Sequence, residues 1–223
     1  MMYPPLRIKV CGLTREGDVA AAVRQGVDAL GFILAESPRR VSLERVRQLT
    51  VGLPPFTTVI GVVVNPAAEE LREIVASRLF DGVQFSGDEP PELLRDFPLR
   101  TIKAFGIRDA ADVEAALRYE GADVVLFDAG SPGARGGTGR PFDWGLLRRR
   151  PRGPFLLAGG LGPKNVAEAV WAVRPWGVDL NSRVERSPGE KDEGLIRRAV
   201  EAARRAGSEI ASESEEEGSG GRG

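Results

Sequence analysis

One cysteine and no histidine occur in this chain of 223 residues. Ser-His-Asp hydrolysis, His-ligated metals and imidazole acid–base chemistry are therefore excluded. Proton transfer falls to Asp, Glu, Cys, Lys or Tyr. A single Cys also excludes an internal disulfide framework and a multi-Cys zinc site. Two titratable residues close apolar runs: Cys11 ends Arg-Ile-Lys-Val-Cys, and Asp128 ends Val-Val-Leu-Phe-Asp. A carboxylate in that position must be solvated, paired or functional. The thiol by itself reads either as a small buried hydrophobe or as a reactive group. Gly159-Gly160 and Asn181-Ser182-Arg183 follow two later runs. Glycines let backbone N–H groups approach an anion, and a short helix N-terminus after the last run adds a favourable dipole. Both stretches suit a phosphate, although Ala-Gly-Gly-Leu-Gly-Pro also suits a tight strand-to-helix turn. Arg39 and Arg40 are either solvated loop charges or, in one case, the bidentate partner of a carboxylate.

The elements that must position these residues are legible as eight short apolar runs, at 7–12, 29–34, 58–64, 82–86, 101–107, 123–129, 155–160 and 177–182. Most are near-continuous rather than alternating, as strands covered on both faces should be. Segments of helical period lie between them. One has Val19, Ala22 and Val23 on a single face; others have Val113, Ala116 and Leu117, and Val166, Ala169, Val170 and Val173. The last carries Leu195, Ile196, Ala199, Val200 and Ala203. A weak repeat supports parallel βα units. Gly-Val-Asp, Asp-Gly-Val, Gly-Ala-Asp and Gly-Val-Asp start at 26, 81, 121 and 177, at or near every second run. The predicted fold is α/β, a parallel eight-stranded (β/α)8 TIM barrel over residues 1–207. In such a barrel the chemistry sits at the C-terminal ends of the strands, where Cys11, Asp128 and both phosphate stretches fall. A phosphate site after strands seven and eight is common in this architecture. Residues 208–223 are rich in Ser, Gly and Glu and read as an acidic disordered tail. The basic residues Arg148–Arg150 and Arg152 precede strand seven and read as a solvated helix end.

Composition narrows the partners. The formal net charge is -1, against the basic balance of a nucleic-acid binder. No apolar run approaches the roughly 20 residues of a membrane span, and the first residues do not read as a secretory signal. A reduced, cytoplasmic setting is expected. Of 31 Lys plus Arg only 4 are Lys, and Met and Cys together number three. Scarce thermolabile residues suggest a thermophilic protein, although GC-rich coding also favours Arg.

At this point the residues become recognisable. KVCGLT (9–14), GFILAESPRRVS (31–42), GVVVNP (61–66), DGVQFSGDE (81–89), LFDAGSPGARGGTGRPFDW (126–144), AGGLGPKNV (158–166) and GVDLNSRVERSPGEKD (177–192) resemble the phosphoribosylanthranilate isomerase family of tryptophan biosynthesis. The resemblance spans about residues 7–205, and K-x-C-G-L-T together with GGTG-x-x-FDW is its specific part. It implies an Amadori rearrangement of N-(5′-phosphoribosyl)anthranilate without cofactor or metal. Cys11 would be the base and Asp128 the acid. Arg39 would face the anthranilate carboxylate. Gly159, Gly160, Asn181, Ser182 and Arg183 would hold the phosphate. Asp179 looks structural. Such chemistry asks for a thiol lowered by its neighbours and a carboxyl raised by burial or by the substrate's charge. The implied partner is a small phosphorylated molecule, with no nucleic acid and no membrane, the chain being a monomer or homodimer. Two departures stand out. Ser86 replaces the family's His, and Arg183 replaces a Gly tolerant of positive φ beside the phosphate. Two other readings remain. One is the histidine-pathway aminoimidazole carboxamide ribotide isomerase, which carries Asp where this chain has Cys11. The other is a phosphate-binding barrel without catalysis.

Overall fold

The computed structural model describes residues 5–129, 143–148 and 153–219, with side chains to residue 213. Each apolar run becomes a strand. These are β1 (Arg7–Cys11), β2 (Ala29–Ile33), β3 (Thr58–Val63), β4 (Gly82–Phe85), β5 (Arg100–Ile107), β6 (Val124–Ala129), β7 (Phe155–Leu157) and β8 (Gly177–Leu180). All pair in parallel in sequence order, and β8 returns to β1, closing the barrel. The predicted fold class is the one observed.

Helices α1 (Glu16–Arg24), α2 (Leu43–Leu49), α3 (Ala68–Ser77), α4 (Pro91–Arg95), α5 (Ala110–Arg118) and α6 (Val166–Val173) fill the crossovers. Between β6 and β7 the described residues instead hold a 3-10 segment, Trp144–Arg148. A short hairpin, β9 (Glu185–Ser187) and β10 (Glu190–Lys191), precedes the last helix, α7 (Glu193–Ser219). The Gly-Gly-Thr-Gly stretch within 130–142 and residues Arg149, Arg150 and Arg152 lie outside the described residues.

Strand alternation divides the barrel wall into two faces. On β6 and β7, Phe127, Phe155 and Leu157 face the helices, while Leu126, Leu156 and Ala158 join Ile60 and Ile102 in a separate interior cluster. The same alternation on β1 sends Ile8 and Val10 outward, leaving Lys9 and Cys11 on the other face. Function can therefore sit on the inward face without disturbing the helix layer.

The Asp repeat has a physical meaning. Asp28, Asp81 and Asp123 stand just before β2, β4 and β6. Each accepts the backbone N–H of the neighbouring odd strand: Ile8 at 2.9 Å, Val59 at 2.7 Å and Thr101 at 2.8 Å. The fourth copy departs. Asp179 lies within β8, opposite Lys9 in register, and faces the interior.

The boundary expected at 207 is not an element boundary. Helix α7 continues through 208–219, where a disordered tail was expected. The reason is spacing: Ile196, Ala199, Val200, Ala203, Ala206 and Ile210 form one buried stripe at helical period. Ile210 carries that stripe past the compositional change. Among the described residues no helix is long and apolar enough to cross a membrane.

Candidate active site

The C-terminal ends of the strands surround a cavity of about 720 Å³. Cys11, Arg39, Asp128, Gly159, Gly160, Asn181 and Ser182 all line it. Seven of the eight residues singled out from sequence are thus brought together. Arg183 is not on that wall: its side chain is exposed and its Cβ sits against Gly162. It lies in the 3-10 segment Ser182–Val184 without positive φ, so losing the family's glycine there imposes no backbone strain.

Cys11 is buried at the end of β1. Opposite it stands Gly31, where a Cβ would meet the sulfur at 2.8 Å. Gly12 turns the chain away at φ +73°, and a Cβ there would meet Arg39 Cδ at 2.6 Å and Asn181 Oδ1 at 2.8 Å. Close approach of three loops fixes glycine at that position. Burial pushes the Cys11 thiol up; Lys9 and Lys191 oppose the rise, and Asp179 adds to it. The sequence-based expectation of a lowered thiol is not met, because desolvation outweighs the two lysines.

Asp128 is half-buried at the end of β6, where its Oδ1 accepts the Ala129 N–H at 2.7 Å. Burial pushes its carboxyl up to about 6; the Ala129 bond and Lys9 oppose this, and Asp179 adds to it. That direction matches the expectation for an acid. Arg39 faces the cavity while Arg40 is exposed and does not line it. Arg39 donates through Nε and Nη2 to Glu185, with Nη2–Oε2 at 2.7 Å. This leaves the Nη1 side of the guanidinium for a second carboxylate. Glu185 in turn accepts Lys191 Nζ at 2.7 Å, and Lys191 also donates to Asn181 Oδ1 at 2.8 Å. The β9–β10 hairpin thereby ties the Arg39 wall to the Asn181 wall.

Beside β7, Gly159 and Gly160 adopt φ of +91° and +65°. A Cβ on Gly159 would stand 2.4 Å from the Ala129 nitrogen. Asn165 braces this loop, donating to the Gly160 carbonyl at 3.0 Å and accepting the Gly162 N–H at 2.9 Å. Glycine is required here for conformation as well as for access.

Sequence reasoning passed over the cavity floor. Lys9 Nζ donates to Asp179 Oδ2 at 2.7 Å and Gln84 Oε1 at 3.0 Å, and Gln84 Nε2 donates to Ser86 Oγ at 3.1 Å. Ser86, in place of the family's His, therefore serves as an anchor for Gln84. Asp179 Oδ1 is buried with no hydrogen-bond partner among the described residues. An open acceptor on a cavity floor is a place for a ligand's donor. The missed signal was a lysine inside an apolar strand: Lys9 and Lys103 are buried there in ion pairs, as is Lys191 in the polar hairpin. Among the described residues no group of three or more Cys, Asp or Glu is placed to hold a metal ion.

Comparison with known proteins gives a consistent picture. A family model described as N-(5′-phosphoribosyl)anthranilate (PRA) isomerase matches residues 8–202. The N-(5′-phosphoribosyl)anthranilate isomerase of Petrotoga mobilis is 46% identical over 198 residues, covering 88% of this chain and 96% of the relative. The crystal structure of phosphoribosyl anthranilate isomerase from Thermotoga maritima superposes with a TM-score of 0.83 at 36% identity, covering 90% of this chain and 99% of that one. A phosphoribosyl anthranilate isomerase in complex with reduced 1-(o-carboxyphenylamino)-1-deoxyribulose 5-phosphate superposes with a TM-score of 0.80, also at 36% identity and with the same coverage.

Proposed function

The chain belongs to the N-(5′-phosphoribosyl)anthranilate isomerase family, and from that premise we propose that Cys11 and Asp128 carry the reaction. The protein is an aldose–ketose isomerase of tryptophan biosynthesis. Its substrate is an aminoaldose, N-(5′-phosphoribosyl)anthranilate, and its product is 1-(o-carboxyphenylamino)-1-deoxyribulose 5-phosphate.

In the proposed sequence Asp128 gives its proton to the ribose ring oxygen. The C1′–O bond breaks as the anilino nitrogen lone pair forms a C=N bond. Cys11 then takes the C2′ proton, and the C–H electrons form C1′=C2′ while neutralising the iminium. The resulting enolamine becomes the ketone by tautomerisation. What supports this assignment is that Cys11 and Asp128, on β1 and β6, line one cavity, with Asp128 held neutral up to about 6 by burial.

The remaining roles follow from position. The free side of Arg39 takes the anthranilate carboxylate, its other side being fixed by Glu185. Backbone N–H groups around Gly159, Gly160, Asn181 and Ser182 take the phosphate, and Arg183, just beyond them, adds positive charge. A reducing compartment, the cytoplasm, suits an enzyme that depends on a free thiol. The working form is a monomer or homodimer, which light scattering resolves.

The test is loss of anthranilate-type fluorescence on fresh N-(5′-phosphoribosyl)anthranilate. Wild type should turn over rapidly. Cys11→Ala and Asp128→Ala should each fall by roughly 10²–10⁴-fold, the usual contribution of one positioned acid or base. A folded variant with near-wild-type turnover removes that residue from its role.

A further inference from the structure

Lys9 and Cys11 are two residues apart on β1, so both point into the barrel. They share one small space. A Cβ on Gly31 would stand 2.8 Å from Cys11 Sγ and 3.1 Å from Lys9 Cε. The Lys9 ammonium has three protons to place. Asp179 Oδ2 takes one at 2.7 Å and Gln84 Oε1 another at 3.0 Å. The Cys11 sulfur faces the same space beside Gly31. Lys9 is only 3% exposed, and its ammonium is held in place from β8 and β4. Burial disfavours its charge, but Asp179 and Cys11 more than offset this and the net shift is upward. A buried cation beside a thiol stabilises the thiolate.

We propose that Lys9 is a positioning residue for the isomerisation, its ammonium stabilising the Cys11 thiolate while Asp179 competes for the same charge. The proposal rests on reading Cys11 as the base. Other charged groups complete the surroundings of the thiol. Lys191 on β10 and Arg39 after β2 act in the same direction as Lys9, and Asp128 on β6 bears on Lys9 and Asp179. Lys191 and Arg39 share Glu185 as counterion, so their charge is largely spent on it. Among the described residues Lys9 is ion-paired with one carboxylate, Asp179, whose other oxygen is unpartnered.

Iodoacetamide alkylation tests this without using turnover. Cys11 is the only cysteine, so the rate reports its thiolate alone. At pH 8, Lys9→Met should slow alkylation at least tenfold and Asp179→Asn should speed it at least threefold, with folding of each variant checked by circular dichroism. Opposite signs from the two halves of one contact separate charge from loosened packing, which would speed both. A Lys9→Met rate equal to or above wild type overturns the proposal, as does a shift of both variants in the same direction. Where Lys9→Met alone fails to fold, the charge-balanced Lys9→Met/Asp179→Leu pair replaces it. Its alkylation should be at least threefold slower than wild type, and an equal or faster rate overturns the proposal. Failure of the base assignment is read separately: Cys11→Ser that still turns over removes Cys11 as base and leaves the alkylation result standing.

Discussion

At the residue scale, the proposed acid and base sit in environments that push both groups towards their neutral forms. A carboxyl acting as acid must be neutral, and burial keeps Asp128 so up to about 6. A thiol acting as base must be a thiolate, and burial raises Cys11 as well. Below about 6 the donor is complete and the thiolate fraction grows with pH. Above that pH the loss of donor cancels the gain of thiolate. The kcat/KM profile is therefore expected to rise to a bend near 6 and then run flat, with the lower limb belonging to Asp128. A limb still rising tenfold per pH unit at pH 8 contradicts this. The reacting form is then a minority of the free enzyme, and each molecule of charge that steadies the thiolate enlarges it. That Cys11 and Asp128 would share one cavity was legible because each closes an apolar run. Lys9 and Gln84 were not singled out, because nothing in a linear run says which charges will share one interior space. Asp179 was read as structural for a related reason. Its tripeptide looks like the other three repeats, and only the strand register places it beside Lys9.

At the element scale, seven strands were legible to within a residue or two, since continuous apolar runs bounded by glycine and charge leave little choice of boundary, while β7 ends three residues before its run, where Gly159 and Gly160 take positive φ. Helices were legible where a buried stripe was present, as in α6, whose Val166, Ala169, Val170 and Val173 are all buried. The end of α7 was not, because Ser and Glu dominate its composition while a single Ile210 carries the packing. Deleting residues 208–223 removes that side chain from the core. A buried Ile lost in this way costs about 2–4 kcal/mol. The deletion is expected to lower Tm by roughly 4–16 °C, at about 2–4 °C per kcal/mol for a chain of this size. The Arg174–Glu213 pair lost with it joins a half-buried Arg to an exposed Glu and adds little. An unchanged Tm would return the segment to the status of a solvated tail.

At the scale of the whole molecule, an Arg-rich surface and few thermolabile side chains point to a Tm above about 60 °C, the upper range of mesophile domains. A calorimetric midpoint below that value removes the thermophilic reading. The aspartate joints have a different consequence, for the order in which the barrel can assemble. Asp28, Asp81 and Asp123 fasten neighbouring strands across only 20, 22 and 22 residues of chain. The Lys9–Asp179 contact closes a loop of 170 residues. For a flexible chain that longer closure costs about 2 kcal/mol more in entropy, unless the intervening strands are already paired. Strand pairs therefore have every reason to form early, and the β8–β1 seam to form last. The floor beneath Cys11 lies on that seam, so the closure that sets Lys9 against Asp179 is what completes the site: the last step of folding is also the step that finishes the enzyme.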